Sequence, residues 1–457
     1  MSKVTLPRVL FAGTHSGSGK TTIVCAVLQA LISRGINAVS FKCGPDYIDP
    51  MFHTAVIGAK SCNLDTFFCS KDILQKLLCK NAYGADIAVI EGVMGYYDGT
   101  GESGMQHSSY EIACVTNAPV VLVVDGRGAS TSILATIKGF AEFVPNSRIK
   151  AVLLNRVSAA VYKKIKPMIE ALLPQIKVVG YLPQFPQELV LQSRHLGLIT
   201  PFELENMRDM LEEIAGKLQE TVDINAIIQI ANTAPTLENR AALPTNKKEH
   251  VRIAVVRDKA FCFYYEENLD LLRELGAEII ETSPLNDDKL PEGISGIIIG
   301  GGYPELYLEE LSDNTTYRRD VKAALEAGMP CIAECGGFMY LNRSIENREM
   351  VGFLQGDCTR MQKLARFGYV EIAANMDNML LKASETLCGH EYHYYDCTKN
   401  GDSFTAKKPN GDSWECAIAN ESLYAGFPHI HFYSNPAVAE RFVKCCKEYK
   451  KRKGQVV

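Results

Sequence analysis

A glycine-rich segment near the N-terminus carries residues suited to binding nucleotide phosphates. The stretch RVLFAG runs into GTHSGSGKTT and then into IVCAVLQALISRG, the order of strand, turn and helix in a phosphate-binding loop. Glycines let backbone N–H groups approach phosphate oxygens, and the helix dipole favours negative charge. Lys20 would neutralise the β- and γ-phosphates of ATP, and the Thr21 hydroxyl would ligate Mg²⁺. The other candidate nucleotide contacts in this loop are Gly13, Thr14, Gly17, Ser18, Gly19 and Thr22.

The glycine spacing departs by one residue from the usual G-x-x-x-x-G-K-[ST] pattern. The first glycine is Gly13, and the position where the pattern expects glycine holds Thr14. A chance glycine-rich turn is the competing interpretation. The strand before the turn and the intact Gly-Lys-Thr at its end favour phosphate binding.

Two acidic residues follow predicted strands, at the edge where ligands collect in open α/β sheets. Glu91 ends the buried run in ADIAVIEG, and Asp46 lies in FKCGPDYIDP. With Thr21 they are the predicted ligands of Mg²⁺ beside ATP. Asp49 is a weaker candidate, and a turn or cap role competes for any isolated aspartate in a loop.

One cysteine, Cys335, stands where a nucleophile would be exposed above a sheet. The segment PCIAE predicts a short buried strand, and CGGFMYL predicts a tight turn into a helix. A helix N-terminus favours a thiolate, and the small residues after the cysteine permit a strained turn. The N–H of Gly336 would face a developing oxyanion, and Gly301 or Gly302 would supply a second donor.

The base for this thiol is predicted in HIHF, which contains His429 and His431. Strand alternation would place both histidines on one face of the sheet, so either can serve. His390 and His393, in GHEYHYY, have no clear charge partner in the sequence. Structural, interface and substrate-contact roles stay open for these two.

Two series of strands, alternating with helix-like segments, must position these residues. Continuous apolar runs, typical of parallel strands buried on both faces, occur at 9–12, 38–41, 87–90, 120–124, 151–154 and 178–181. The polar, proline-containing stretch 233–250 predicts a linker. Strands resume at 252–257, 296–300 and 330–333. We therefore predict an α/β protein with two domains, residues 1–232 and 251–457.

Composition and charge argue against several other classes of protein. The 457 residues are 47% hydrophobic and 22% charged, as in ordinary globular chains. The net charge of −5 argues against a general nucleic-acid or membrane-surface binder. No apolar run approaches the roughly 18 residues that span a bilayer, and no signal peptide is evident. We expect a cytoplasmic protein without nucleic-acid or membrane partners.

The 15 cysteines fit a reducing compartment. Their number is odd and none forms a C-x-x-C pair, so disulfides and a metal cluster built from close pairs are poorly supported. We expect fourteen of them to pack as small hydrophobes and Cys335 alone to be reactive.

Motifs along nearly the whole chain resemble the cobyrinic acid a,c-diamide synthase family. They are GTHSGSGKTT, FKCGPDYIDPMFH, EGVMGYYDG, SRHLGL, AFCFYYEENL, GGGYPEL, ECGGFMYL, GHEYHYY and HIHFYSNP, in the family's order. The first domain is similar to dethiobiotin synthetase, whose phosphate loop carries the same extra residue. The second resembles the class I glutamine amidotransferases of the triad type, which have a flavodoxin-like fold.

The resemblance implies amidation of two peripheral carboxylates of cobyrinic acid, driven by ATP with Mg²⁺ and using L-glutamine as the ammonia source. ATP would phosphorylate the carboxylate, and ammonia would displace phosphate. The same reaction on Ni-sirohydrochlorin is the alternative within the class. A P-loop ATPase switch of the MinD or ParA kind is the alternative from another class. The oligomeric state, including a homodimer, stays open.

The resemblance also implies roles for individual residues. Cys335 is the expected nucleophile, and His429 is preferred over His431 as its base. The histidines lack the proline- and glutamate-containing segment that follows in many such domains, so no third, orienting acid can be named. The resemblance places Asn155 near adenine, with a helix cap as the competing role. Three further residues lie in matching motifs and are expected to face the substrate: Tyr47, Asp98 and Arg194.

Overall fold

The structure is a computed structural model, which describes residues 2–186, 193–194, 197–198, 207–239 and 250–454. The chain divides into two compact units, Met1–Ala242 and Leu243–Val457. The first unit extends further than the predicted boundary at residue 232, because Leu237–Asn239 pairs with Ser2–Val4 as an antiparallel strand. This three-residue strand has no apolar run that the sequence could reveal. The remainder of the predicted linker, up to residue 249, lies outside the described residues.

The first unit alternates strands and helices. Its elements are β1 (Ser2–Val4), β2 (Arg8–Gly13), α1 (Lys20–Ser33), β3 (Ala38–Cys43), α2 (Ile48–Phe52) with the π-helical turn His53–Ile57, β4 (Ser61–Leu64), α3 (Lys71–Asn81), β5 (Ile87–Glu91), α4 (Ser109–Thr116), β6 (Val120–Asp125), α5 (Ser132–Glu142), β7 (Ile149–Asn155), α6 (Ala159–Leu172), β8 (Lys177–Leu182), β9 (Ser193–Arg194), β10 (Gly197–Leu198), α7 (Met207–Thr221), α8 (Ile224–Asn232) and β11 (Leu237–Asn239).

A seven-stranded sheet in the order β4-β3-β5-β2-β6-β7-β8 forms the centre of this unit, and its neighbouring strands are all parallel. Six of the strands are the predicted apolar runs, so the α/β prediction is confirmed. The seventh, β4, was not predicted because its sequence SCNL is short and half polar. The carboxyl ends of β2, β3 and β5 lie side by side, where a ligand of such a sheet binds.

The described residues of the second unit contain four sheets, of six, five, four and two strands. Its elements are β12 (Val251–Val256), β13 (Phe261–Phe263), α9 (Glu266–Glu274), β14 (Ala277–Thr282), β15 (Gly296–Ile299), β16 (Gly301–Gly302), the 3₁₀ turn Pro304–Leu306, α10 (Leu308–Asp313), α11 (Thr315–Glu326), β17 (Cys331–Glu334), α12 (Gly336–Leu341), β18 (Ser344–Ile345), β19 (Arg348–Glu349), β20 (Asp357–Arg360), β21 (Arg366–Ala374), β22 (Thr386–His393), β23 (Tyr395–Cys397), β24 (Phe404–Lys407), β25 (Ser413–Cys416), β26 (Ile418–Ala419), β27 (Leu423–Gly426), β28 (His429–Ile430), the 3₁₀ turn Phe432–Ser434 and α13 (Ala437–Gly454).

The six-stranded sheet β14-β12-β15-β17-β27-β26 contains the predicted strands and is parallel except for β26. It confirms a second α/β unit. A five-stranded antiparallel sheet, β25-β24-β21-β22-β28, was not predicted. In β21, the longest strand of this sheet, buried and solvent-accessible residues mix along the strand, so no continuous apolar run marks it. Its last strand, β28, brings the HIHF segment beside β22.

The expectations for cysteines and membrane segments can be compared with this fold. All 15 cysteines lie in described residues and none forms a disulfide. Within the described ranges, no helix is both long enough and apolar enough to cross a membrane.

Candidate active sites

The glycine-rich loop connects β2 to α1, as its sequence predicts. Gly17 (φ +78°) and Gly19 (φ +91°) adopt left-handed backbone conformations, which glycine enters without steric cost. Gly13 ends β2, and a Cβ there would lie 2.2 Å from Ser18 Oγ and 2.9 Å from Lys20 Nζ. The displaced first glycine is therefore required, because the loop folds back against the end of the strand at residue 13.

Lys20, the first residue of α1, is buried at the mouth of this loop. Its Nζ donates hydrogen bonds to the carbonyl oxygens of Met94 (2.5 Å) and His15 (3.4 Å). Burial, together with the nearby positive charge of Lys42, lowers the pKa of Lys20 to about 8, although Glu91 opposes the shift. The ammonium group is thus held inside the loop, where phosphate oxygens would approach it.

The other loop residues frame the same concavity. Ser18 is fully buried, and its Oγ has no hydrogen-bond partner among the described residues. Thr14 lies at the loop entrance, with its Oγ1 2.9 Å from His15 Nδ1, and Thr22 follows in the first turn of α1.

Glu91 lies at the centre of a buried cluster of charged side chains. It ends β5, where Lys42 of β3 is its register partner. Its Oε1 accepts a hydrogen bond from Thr21 Oγ1 at 2.6 Å and lies 2.7 Å from Lys42 Nζ. Lys42 Nζ also contacts Asp49 at 2.5 Å, whereas Asp46 is 3.9 Å away. The structure thus brings Thr21 and Glu91 together and places Asp49 closer to this cluster than Asp46.

Asp46 has a second, local task. Its Oδ1 accepts the backbone N–H groups of Ile48 and Asp49, at 2.9 and 3.0 Å, and so holds the turn that begins α2. This is the turn role that competes with metal binding for such an aspartate. Burial, with the nearby Asp49 charge, raises the pKa of Asp46 to about 7.

Sequence reasoning missed Lys42 and His53. Burial would lower the pKa of Lys42, but Asp49, Glu91 and Asp46 outweigh burial and raise it, so Lys42 is charged. His53 lies between Ser40 Oγ (2.8 Å) and Glu91 (3.4 Å), and burial lowers its pKa to about 4. The available signal was a basic residue near the end of a strand in FKCGPDYIDPMFH, next to the strand that ends in Glu91.

The oxygen atoms near Thr21 are suitable ligands for a Mg²⁺ ion that is also bound by the phosphates of ATP. Among the described residues, no set of three or more His, Cys, Asp or Glu side chains is arranged to hold a metal by itself. Mg²⁺ usually keeps several waters and takes one or two carboxylates together with substrate phosphates. Asp49 Oδ1 and Glu91 Oε2 are buried and accept no hydrogen bond from the described residues, so each retains a free acceptor.

The expected adenine and substrate contacts are placed as follows. Asn155 Nδ2 donates to Ser18 O at 2.8 Å, and a Cβ on Gly19 would lie 2.2 Å from that nitrogen, so Asn155 supports the phosphate loop. The helix cap that competed with the adenine role of Asn155 is supplied by Ser158. Asp98 accepts the Gly95 N–H at 2.9 Å.

The other two residues expected to face the substrate are Tyr47 and Arg194. Tyr47 is buried at the start of α2. Arg194 lies in β9, and its side chain is outside the described part of the structure.

In the second unit, Cys335 occupies a strained turn between β17 and α12. Its backbone has φ +47° and ψ −104°, and its N–H donates to Gly426 O at 2.8 Å. Few non-glycine residues adopt such a conformation, and those that do cluster at functional sites. A Cβ on Gly337 would lie 2.1 Å from Ile299 O, so the turn requires a glycine there.

His429 and three glycines surround Cys335. A Cβ on Gly301 would lie 2.3 Å from His429 Cε1, and one on Gly336 would lie 3.3 Å from Gly302 N. Burial by itself would lower the pKa of His429, but its interactions with Cys335 and Glu334 outweigh burial and raise that pKa to about 10. The predicted nucleophile, base and oxyanion segments are therefore brought together.

The two histidines, His429 and His431, have different partners, although the extended backbone of β28 continues to His431, as the alternation expected from the sequence requires. His431 has φ −109° and ψ 112°, and its N–H donates to Cys388 O at 3.1 Å. His431 Nε2 lies 3.2 Å from Glu267 Oε1 of α9, and its ring packs against Tyr265. Of these two histidines, His429 is the one that interacts with Cys335.

Glutamates near both histidines were also missed. Glu334 Oε2, from the residue before the nucleophile, lies 3.7 Å from His429 Nδ1. The sequence gives no indication of a role for Glu334, because the residue simply ends the predicted buried strand in PCIAE. His393 stacks on Phe427 with ring centroids 3.9 Å apart, which is a structural role, and His390 is the register partner of His429.

Comparisons with known proteins agree with the two sites. Residues 9–196 match the family described as CobQ/CobB/MinD/ParA nucleotide binding domain, and residues 252–437 match the CobB/CobQ-like glutamine amidotransferase domain. A nucleotide-binding domain followed by a glutamine amidotransferase domain defines a glutamine-dependent amidotransferase ligase.

Curated relatives narrow that class further. Three proteins named cobyrinate a,c-diamide synthase are similar to the chain: 40% identical in Caldanaerobacter subterraneus subsp. tengcongensis (96% of this chain, 98% of the relative), 38% in Priestia megaterium (98% and 99%) and 38% in Thermoplasma volcanium (98% and 99%). The chain belongs to the cobyrinate a,c-diamide synthase family.

Proposed function

We propose that the protein catalyses the ATP- and glutamine-dependent amidation of the a and c side-chain carboxylates of cobyrinic acid in corrinoid biosynthesis. The observation that carries this proposal is the contact of Cys335 with His429 in a chain that also holds Lys20 inside a phosphate loop. An amidoligase needs both an ammonia source and a site that binds ATP phosphates. The presence of both sites in one chain therefore supports this function more strongly than either site would by itself.

The first unit activates the carboxylate. A carboxylate is a poor acyl donor because oxide is a poor leaving group, and transfer of the ATP γ-phosphoryl group to it forms an acyl phosphate that ammonia can attack. Lys20 neutralises charge on the transferred phosphoryl group, and Thr21 with Glu91 and Asp49 would hold Mg²⁺, which supplies further charge neutralisation. Asn155 keeps the loop in place, since it binds the Ser18 carbonyl at 2.8 Å.

The second unit releases ammonia from glutamine. The Cys335 thiolate attacks the amide carbon, and the oxyanion is bound by N–H groups of the segment around Gly301, Gly302 and Gly336. His429 gives its proton to the departing ammonia and then takes one from the water that hydrolyses the thioester. As glutamate leaves, the thiolate of Cys335 is released beside the protonated His429, which is the state at the start of the cycle.

The direct test supplies the purified protein with ATP, Mg²⁺ and glutamine together with cobyrinic acid or Ni-sirohydrochlorin. We expect cobyrinic acid to be converted to its diamide, observed by mass spectrometry. Carboxylate oxygen labelled with ¹⁸O should appear in the released phosphate. If only Ni-sirohydrochlorin were amidated, the proposed substrate would be the nickel tetrapyrrole and not the corrinoid.

Two variants separate the sites. Cys335→Ala should lose glutamine-dependent amidation and keep activity with a high concentration of ammonium salt, whereas Lys20→Ala should lose both. Normal use of glutamine by Cys335→Ala would overturn the nucleophile assignment. ATP turnover without any glutamate release in the wild type would instead favour a switch of the MinD or ParA kind.

A further inference from the structure

Each histidine of the short HIHF segment forms a buried pair with a glutamate from elsewhere in the second unit. His429 Nδ1 lies 3.7 Å from Glu334 Oε2, and His431 Nε2 lies 3.2 Å from Glu267 Oε1. All four side chains are nearly inaccessible to solvent, the most exposed being Glu334 at 11%. Distance alone would select the pair of His431, so the position of the nucleophile must decide between them.

We propose that Glu334 is the third member of the glutamine-hydrolysing site, a positioning residue that orients the His429 imidazole and stabilises its protonated form. This inference rests on the proposed function of Cys335 and His429. It assigns the orienting acid to the residue that precedes the nucleophile, rather than to one that follows the histidine.

The strand pairing explains why Glu334 can reach this place. Glu334 ends β17 and is the register partner of Gly426 on β27, and the chain turns from β27 into β28. Glu334 Oε1 accepts the Ile430 N–H at 3.0 Å. One oxygen therefore fixes the backbone next to His429, while the other lies on the Nδ1 side of its ring. A carboxylate bound in this way has little freedom to turn away from the imidazole.

The electrostatic surroundings also favour an imidazolium next to Glu334. The titratable groups that face His429 are Cys335, Glu334, His390, Glu391 and His393. Burial, with His429 as a smaller contribution, lowers the pKa of His390 to about 3, so that neighbour is neutral. Burial raises the pKa of Glu391 to about 7, which leaves it largely neutral in mildly acidic solution. Tyr264 and Tyr424 lie within electrostatic range of Glu334.

The proton path follows from this arrangement. A carboxylate that accepts from Nδ1–H leaves Nε2 to exchange protons with the thiol, the departing ammonia and the attacking water. Hydrogen bonds of this kind are often long in unliganded enzymes and shorten when substrate binds, which accommodates the distance of 3.7 Å. No atom is transferred to Glu334 in this path.

Glu334→Gln and Glu267→Gln form a matched test, because each replaces one carboxylate of a buried pair with an amide of the same shape. We expect Glu334→Gln to lower kcat for glutamine hydrolysis by about 10²-fold or more, since the amide imposes the wrong imidazole tautomer. KM for glutamine should change far less, and Glu334→Asp should recover part of the activity because it restores the charge.

A second readout separates positioning from general damage. The pH dependence of iodoacetamide alkylation at Cys335, followed on its peptide by mass spectrometry, should move to higher pH in Glu334→Gln by about one unit or more, because the imidazolium loses its counter-charge. Glu267→Gln should leave this profile unchanged. Ammonium-dependent amidation should persist in both variants, which shows that each is folded.

The outcomes distinguish this inference from the proposed function. The role of Glu334 would be refuted if Glu334→Gln hydrolysed glutamine at the wild-type rate and kept the wild-type pH profile of Cys335 alkylation. If Glu267→Gln lost glutamine hydrolysis while Glu334→Gln kept it, the orienting acid would be Glu267, acting through His431. Absence of glutamine hydrolysis in the wild type would refute the proposed function itself.

Discussion

Lys42 and Glu91 face each other on neighbouring parallel strands, and their side chains form a buried ion pair of 2.7 Å. The oxygen of Glu91 that binds Lys42 also accepts the hydroxyl of Thr21, in the first turn of α1. One carboxylate therefore links the end of the β5 strand, a buried cation and the phosphate loop. This arrangement sets the charge near the position where the phosphates of ATP would lie.

Replacing Lys42 by methionine should destabilise the first unit. Removal of one partner leaves Glu91 and Asp49 as buried, uncompensated charges, and such a loss costs about 3–5 kcal/mol. We expect a lower Tm by calorimetry. Added Mg²⁺ should raise the Tm of Lys42→Met more than that of the wild type, because an ion that binds only the folded state stabilises it.

The control for that variant is an exposed lysine in the same unit. Lys138, on α5, pairs with Glu142 at 3.9 Å, and its side chain is 49% exposed. Lys138→Met should change stability by no more than about 0.5 kcal/mol. Equal Tm values for Lys42→Met and Lys138→Met without Mg²⁺ would contradict the importance of the buried pair.

Gly301→Ala should impair glutamine hydrolysis selectively. The added Cβ would lie 2.3 Å from His429 Cε1, so the imidazole must move away from the thiol. A displacement of about 1 Å costs roughly 10²-fold in rate. Glutamate release should fall by that factor while ammonium-dependent amidation persists. Gly454→Ala, at the end of α13 with nothing within 4 Å of the new Cβ, is the matched control and should behave as the wild type.

Gly139→Ala should stabilise the first unit. Gly139 lies inside α5, and a Cβ there meets no atom within 4 Å. Glycine inside a helix costs about 0.5–1 kcal/mol relative to alanine, so a gain of that size is expected in calorimetry. Gly180→Ala, on β8, should do the opposite, because its φ is +145° and its Cβ would lie 2.3 Å from Thr221 O. A lower Tm for Gly139→Ala would show that the helix tolerates no side chain there.

His393 should make the stability of the second unit depend on pH. Burial lowers its pKa to about 4, whereas an unfolded histidine titrates near 6.5. Between these values the unfolded chain binds the extra proton, so stability falls as the pH falls. Between pH 7 and pH 5, the free energy of unfolding of the wild type should fall by about 2 kcal/mol relative to that of His393→Gln.

Tryptophan fluorescence provides the measurement for that prediction. Trp414 is the only tryptophan of the chain and lies on β25, so urea unfolding followed by its emission reports the second unit. A difference in unfolding free energy between wild type and variant that is the same at both pH values would mean that the pKa of His393 is the same in the folded and unfolded chains.

Much of the fold and part of each candidate site could be predicted from sequence. The apolar strands of both parallel sheets are readable because strands buried on two faces consist of continuous apolar residues. The phosphate loop and the turn at Cys335 could be predicted because the local backbone leaves no room for a side chain at certain positions, which must then be glycine. Gly13 is an example, since a Cβ there would lie 2.2 Å from Ser18 Oγ. The antiparallel sheet was missed, since its half-exposed strands carry no such run.

The sequence by itself determined the two α/β units, the glycine-rich loop and the tight turn at Cys335, because each depends on neighbours in the chain. Only the tertiary structure decided which side chains act together. Lys42 meets Glu91 through strand register, and Glu334 meets His429 because β28 runs past the end of β17. These pairings join residues up to about a hundred positions apart, and spacing along the chain carries no information about such contacts.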